Sequence, residues 1–320
     1  MQVYNEQIRL RTIELIAQDL NKFNAASGNT LVLSSEGFTG DFSAESFATT
    51  LAGAQRRVNR YGANNTVSAT DYGEDELSGV KVAGGFGPIL FEPSQMSYLL
   101  SNPQEAINNI AQGFSDALLA DQLNTGVGCV VAAIENQSGL VNDVSAETGG
   151  AGALTQSVLN GSHAKFSDMS QLLRADIMTG TAYHKLIDKG LENGERLFQS
   201  TNVTIQSILG KIFVISDIPA LFEAGTPNKT KVLSLVDRAV IIDNTSDIIT
   251  NLETTNGKGR IETTWQADYT FGAKIKGYSW DVANGGKSPD NATLFTGSNW
   301  DIKKDPKYTA GTLAIADLDQ

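Results

Sequence analysis

A chain of 320 residues with 41% hydrophobic side chains can bury about three quarters of its unfolded surface, so a sizeable core is available in one domain or two. Its formal net charge of −12 repels phosphate backbones and argues against a reader of nucleic-acid sequence. A single cysteine, Cys129, excludes a disulfide framework within the chain.

Residues 3–23 place Ile13, Ile16, Leu20 and Phe23 on one helical face. This segment has no central apolar block, so it reads as an amphipathic helix and not a signal peptide. NAASGN at 24–29 stops the helix, and TLVLS at 30–34 reads as a short strand. The chain therefore opens with an arm and an extended lead-out.

Residues 36–92 are rich in Gly, Ser, Thr and Asn, with few large apolar groups after Leu51. Arg56, Arg57 and Arg60 form a basic cluster there, and Asp71, Glu74, Asp75 and Glu76 an acidic one. Two solvated loop ends would explain both clusters. A projecting hairpin whose charges meet complementary ones on another subunit explains them as well, and makes these seven residues the subunit-contact candidates. VKVAGGFGPILFEP at 80–93 then leads back towards a core.

The strongest helix signal follows. Asn102 is placed to cap, Pro103 sits at the first helical position and Glu105 at the third, where it can reach back. Ile107, Ile110, Phe114, Leu118, Leu119, Val127, Val130, Val131 and Ile134 continue the pattern to residue 137. Such a helix is about 50 Å long at about 1.5 Å per residue, a structural beam. Gly126 and Gly128 mark a kink or a close approach.

Beyond it, 139–156 reads as loop, and 166–178 and 181–194 as two shorter helices. KIFVISDIPAL at 211–221 is an apolar strand and turn, and 231–244 two short strands around Asp237 and Arg238. From 265 to 281 the chain alternates. Trp265, Ala267, Tyr269, Phe271, Ala273 and Ile275 share one face, until Gly277 shifts the phase before Tyr278 and Trp280. A bulge or bend at Gly277 is expected.

The chemistry of enzymes is missing from this pattern. Neither His163 nor His184 has a ligand set around it, and both read as surface or capping residues. Cys129 lies in the apolar run GVGCVVAAI and reads as a buried thiol. Gly126-x-Gly128 falls late in a helix instead of after a strand, so it is no dinucleotide motif. No catalytic, cofactor-binding or metal-binding residue is therefore assigned, and no cofactor. No run reaches the ~18 apolar residues of a bilayer span, and no membrane partner is expected.

Three stretches resemble a known family: DLNKFNAASGNTLVLSSEGFTGDF at 19–42, LGKIFVISDIPAL at 209–221, and 262–305 with its long alternating segment. Together they are similar to the major capsid protein of tailed bacteriophages, of the Hong-Kong-97-type α+β fold. The resemblance implies an N-terminal arm at 1–35, an extended E-loop at 36–92 and a P-domain spine helix at 93–140. It further implies an A-domain at 141–245, then P-domain strands and the C-terminal segment at 246–320.

What the family implies is a non-enzymatic shell protein. It forms hexamers and pentamers, builds the icosahedral head in the host cytoplasm, and encloses double-stranded DNA without sequence-specific contact. Scaffolding, portal and decoration proteins are its possible partners. The chain opens at the arm without the long scaffolding segment of some relatives, so scaffold is expected to be separate, cleaved earlier or dispensable. Lys81 is the one lysine of 36–92 and lies near the base of that excursion, so no cross-linking between subunits is expected. An encapsulin-type shell around cargo protein is the alternative, and a cytosolic enzyme of small oligomeric state a distant one.

Overall fold

The computed structural model describes residues 2–34, 42–48, 56–63, 66–69, 74–92, 95, 101–192, 207–208, 211–257 and 259–320. Helix α1 (Gln2–Ala26) leads into β1 (Leu31–Ser34), then β2 (Phe42–Ala48) and the long β3 (Glu74–Phe91). Helix α2 runs unbroken from Pro103 to Glu135. It starts where Asn102 and Pro103 predict, though the Asn102 side chain makes no capping hydrogen bond. Its most apolar window is long and apolar enough to cross a bilayer, but 67% of that window is buried inside the chain. The apolar surface is thus spent on a protein core.

The core forms because long strands present one face to that helix. Strands β10 (Val240–Thr255) and β11 (Glu262–Ile275) pair antiparallel within a five-stranded sheet of order β1-β10-β11-β3-β2. The alternation read in β11 is the alternation of burial: Trp265, Ala267, Tyr269, Phe271, Ala273 and Ile275 are all at most 4% exposed. Phe114 of α2 enters this face. Its ring meets Phe86 edge-on at 5.3 Å and Trp265 at 5.4 Å. Tyr269 stacks on Phe86 and donates its hydroxyl to Asp121 Oδ2 of α2 at 2.5 Å. The result is the two-layer core of one beam on one ribbon.

Gly126 and Gly128 do not break the helix. A Cβ on Gly126 would stand 2.6 Å from Ile242 Cδ1, and one on Gly128 would collide with the Phe295 ring. They let neighbouring side chains nest against the beam.

A second sheet of seven strands takes up most of the rest. Its order is β4 (Val141–Asp143), β14 (Gly311–Asp317), β9 (Lys229–Val236), β5 (Leu173–Met178), β7 (Lys211–Ile215), β6 (Ser207–Ile208), with β8 (Phe222–Glu223) on β9. Strand β14 therefore inserts between β4 and β9, far from its place in the chain. The last turns of α2 pack on β14, joining both sheets in one apolar core. On the other face, α3 (Gln156–Ala164) and α4 (Gly180–Glu192) carry Leu159, Ala182 and Leu186 against Met178, Val232 and Ala314.

Three expectations are corrected here. Residues 166–178 are not a helix: one 3₁₀ stretch (Ser167–Leu172) ends in β5. The sheet is covered on both faces, so LRADIM is a buried run with no alternation to read, and its helix-like spacing misleads. Gly277 is no bulge. The bend half of that expectation holds: Gly277 closes a tight turn at φ +83°, with Thr309 packed beneath it, and redirects the chain into β12 (Tyr278–Trp280), which pairs with β13 (Trp300–Ile302) in a separate sheet. Finally, 231–244 holds two strands around Asp237 and Arg238, but the second continues to Thr255.

Burial also sets the alkaline limit of the fold. Cys129, Tyr269 and Tyr278 are at most 4% exposed, and burial pushes each pKa above its ordinary value of 9.0 or 10.0. Each group keeps its proton longer when folded, so its contribution is complete below those values and is lost as pH rises past them. Urea midpoints should hold steady to about pH 9 and then fall, with a shallower fall in Tyr269→Phe. Midpoints unchanged to about pH 11 would contradict this assignment.

Candidate functional site

The buried polar groups of the seven-stranded sheet form a structural network. His163 is 5% exposed in the last turn of α3, not on the surface as its sequence context suggested. Its Nε2 lies 3.0 Å from Asp176 Oδ1 and 3.1 Å from Ser234 Oγ, both buried on the seven-stranded sheet. A nucleophile relay needs the acid and the hydroxyl on opposite ring nitrogens. Here both meet the same one, and Ser234 is fully buried, so the group is a satisfied core cluster. Lys211 sits nearby, its Nζ donating to the carbonyls of Ser170 and Leu173 at 3.0 and 2.7 Å. Burial lowers its pKa, and the charge of Asp176 opposes that shift.

His184 is exposed, as expected. Cys129 is sealed in the core, which keeps it a thiol. Among the described residues no group of three or more His, Cys, Asp or Glu could hold a metal ion.

The charge clusters of the excursion sit on the hairpin made by β2 and β3. These strands pair from Phe42 opposite Val80 to Ala48 opposite Glu74. Arg56, Arg57 and Arg60 lie on an exposed irregular stretch beyond the paired strands. Glu74, Asp75 and Glu76 open β3, opposite Ala48, Phe47 and Ser46. Asp71 lies outside the described residues. The described members of the two clusters thus share the hairpin's distal half. Beyond Val80, β3 leaves the hairpin and joins β11.

The ends of the seven-stranded sheet carry charge that the sequence did not reveal. Where β9 finishes and β14 begins, Arg174 Nη1 lies 3.6 Å from Asp237 Oδ1, and Lys276 Nζ donates to the Asp237 carbonyl at 3.2 Å. Burial depresses the pKa of Lys276; Asp237 opposes the shift, and Lys304 and Arg238 add to it by repulsion. Four chain segments thus bring Arg174, Arg238, Lys276 and Lys304 to one end of the sheet, with Arg174 on the Asp237 carboxylate and Arg238 and Lys304 within electrostatic reach of Lys276.

At the opposite end, β14 closes on Asp317 beside Asp143 of β4, Glu147 and Asp319. Gln320 Nε2 ties this end together, donating to Asp317 Oδ2 at 2.7 Å and to the Glu147 carbonyl at 2.9 Å. These residues are distant in sequence, and only the register of β4, β9 and β14 assembles them.

An apolar cleft of about 280 Å³ opens where the end of β3 meets the start of α2. Ile89, Leu90, Phe91, Ala106 and Ile110 line it, and Ile89 is 47% exposed. Its polar lining among the described residues is Gln95 and Asn109, neither of them an acid, base or nucleophile.

Comparison with known proteins supplies the context for these surfaces. A family model described as Gp13-like, major capsid protein 13-like, matches residues 1–313. No curated protein matches the chain. Among solved structures, the capsid asymmetric unit of cyanophage Pam1 is similar at 10% identity, with TM-score 0.52 over 90% of this chain and 88% of that one. The holo-SrpI encapsulin complex from Synechococcus elongatus PCC 7942 aligns at 12% identity and TM-score 0.49, over 91% and 86%. The acidic stable capsid of Helicobacter pylori bacteriophage KHP30 aligns at 8% identity and TM-score 0.48, over 92% and 91%. At 10% identity, the likeness to the Pam1 capsid carries the fold alone.

Proposed function

The chain belongs to the major capsid protein 13-like family, and from that membership we propose how it builds its shell. It is a major capsid protein of tailed bacteriophages, with an α+β fold of the Hong-Kong-97 type, and its place is the virion capsid. Copies assemble as a homo-oligomer. In our reading they group into hexamers and pentamers that close an icosahedral head in the host cytoplasm, around double-stranded DNA held without sequence-specific contact. The subunit catalyses nothing.

One observation carries this reading: a beam-and-ribbon slab beside a hairpin that bears exposed arginines, in a chain matched along nearly its whole length by a capsid family. We read 1–35 as the arm, 36–92 as the E-loop, 93–140 as the spine, 141–245 as the A-domain and 246–320 as the returning P-domain segment. A slab of this kind gains its use when copied many times, because each modest contact repeats around the lattice. Light scattering on the purified chain tests the reading. Megadalton particles support it, and a dimer that never grows, with or without scaffold, overturns it. Packaged DNA in the particles marks a phage head; protein cargo in its place would mark an encapsulin-type compartment.

In the same reading the hairpin charges are contact residues. Reversing Arg56, Arg57 and Arg60 to glutamate should lower shell yield at least about tenfold while the subunit keeps its melting temperature, since the three are exposed. Normal shells from that variant would remove the hairpin from the contact set.

A further inference from the structure

We propose that neighbouring copies of this chain meet head to tail through the two ends of the seven-stranded sheet, the cationic end of one seated on the acidic end of the next. The proposal rests on the shell-forming reading above and adds the surface that carries the contact.

At one end stand Arg174, Arg238, Lys276 and Lys304, with Asp237 among them. At the other stand Asp143, Glu147, Asp317 and Asp319, with Lys185 as the cation acting on Asp319. Glu135 and Glu223 also lie near that end, but they are engaged by Lys231 and Lys229. Asp317 is 5% exposed and held by Gln320, so the exposed carboxylates of that end are Asp143, Glu147 and Asp319, and the two ends are opposite in sign.

The seven residues of β14 hold them roughly 20 Å apart, at about 3.3 Å per residue. That exceeds the screening length of about 8 Å at physiological salt, so neither end neutralises the other within one copy. Two different, complementary patches on one chain make a heterologous contact, the kind that closes rings or extends arrays. A second copy is the occupant because the chain assembles with itself and carries both patches, whose signs are complementary. A nucleic acid would match the cationic end alone and leave the acidic end without a role.

Two charge-reversed proteins test this. One carries Arg174→Glu with Lys304→Glu, the other Glu147→Lys with Asp319→Lys, and circular dichroism checks that each folds. Each alone should yield about tenfold fewer sedimenting shells, because like charges face each other at every contact. A one-to-one mixture, or one chain carrying all four substitutions, should recover shells, because opposite charges meet again. The wild-type assembly rate should also fall about tenfold from low to high salt, a measurement that needs no variant.

Full assembly by either single variant, failure of both rescues, or a rate indifferent to salt would overturn the proposal. So would cationic-end variants that form normal shells but retain less DNA, since the patch would then touch the genome. If the wild-type chain forms no shells at all, it is the underlying function that fails.

Discussion

Phe114→Ala is expected to destabilise the subunit by about 3–5 kcal/mol, a large share of the ~5–15 kcal/mol that holds a typical domain together. The ring is 4% exposed and fills the gap between beam and ribbon. It meets Phe86, Trp265 and Tyr269 at 5.3, 5.4 and 6.4 Å, all at steep interplanar angles. Truncation removes its own transfer energy and opens a cavity that three rings on a hydrogen-bonded sheet cannot easily collapse into. Edge-on aromatic pairs add about 0.5–1.5 kcal/mol each beyond the area they bury. Phe114→Leu keeps most of the volume and should cost much less, about 1–2 kcal/mol. Urea unfolding of the two variants measures both. A Phe114→Ala protein within about 1 kcal/mol of wild type would mean that the helix does not bear on the ribbon as described.

The second large effect falls on Asp176. Its side chain is 1% exposed, beside His163 and within electrostatic reach of Lys211. Asp176→Ala leaves the imidazole without that acceptor and strips Lys211 of the negative charge opposing its desolvation. Losing one partner of a buried charged group costs about 3–5 kcal/mol, more than the intact pair contributes, because the survivor stays buried. Asp176→Asn keeps a side-chain oxygen for His163 and should recover part of the loss. In the double variant with Lys211→Met, the cost of Asp176→Ala should shrink, as a double-mutant cycle would read. Equal costs with and without Lys211 would show that the two groups do not interact.

Local order was the most legible part of this sequence. Pro103 sets the start of α2, and the two-residue period of β11 sets which side chains reach the core. Both depend on neighbours a few residues away, and both stand where they were read. Long-range order was less legible. LRADIM reads as helix because a strand buried on both faces has no alternation, and nothing local shows that β7 and β9 flank it. His163 reads as a surface or capping residue because its partners lie 13 and 71 positions away.

The same holds for the charges. Arg56, Arg57 and Arg60 stand out because they are neighbours in the chain. Arg174, Arg238, Lys276 and Lys304 converge only when four separate segments fold to one sheet end. The turn at Gly277 lay between the two cases. The phase change was visible, but its meaning depended on Thr309 and on β13, both downstream.

Electron microscopy of particles formed by the purified chain, with scaffold supplied if needed, puts the central claim to its most direct test. Closed icosahedral shells of uniform diameter, with walls one slab thick and ring-shaped capsomers, are the predicted image. A field of discrete small oligomers, from a protein that spectroscopy shows to be folded, would contradict it.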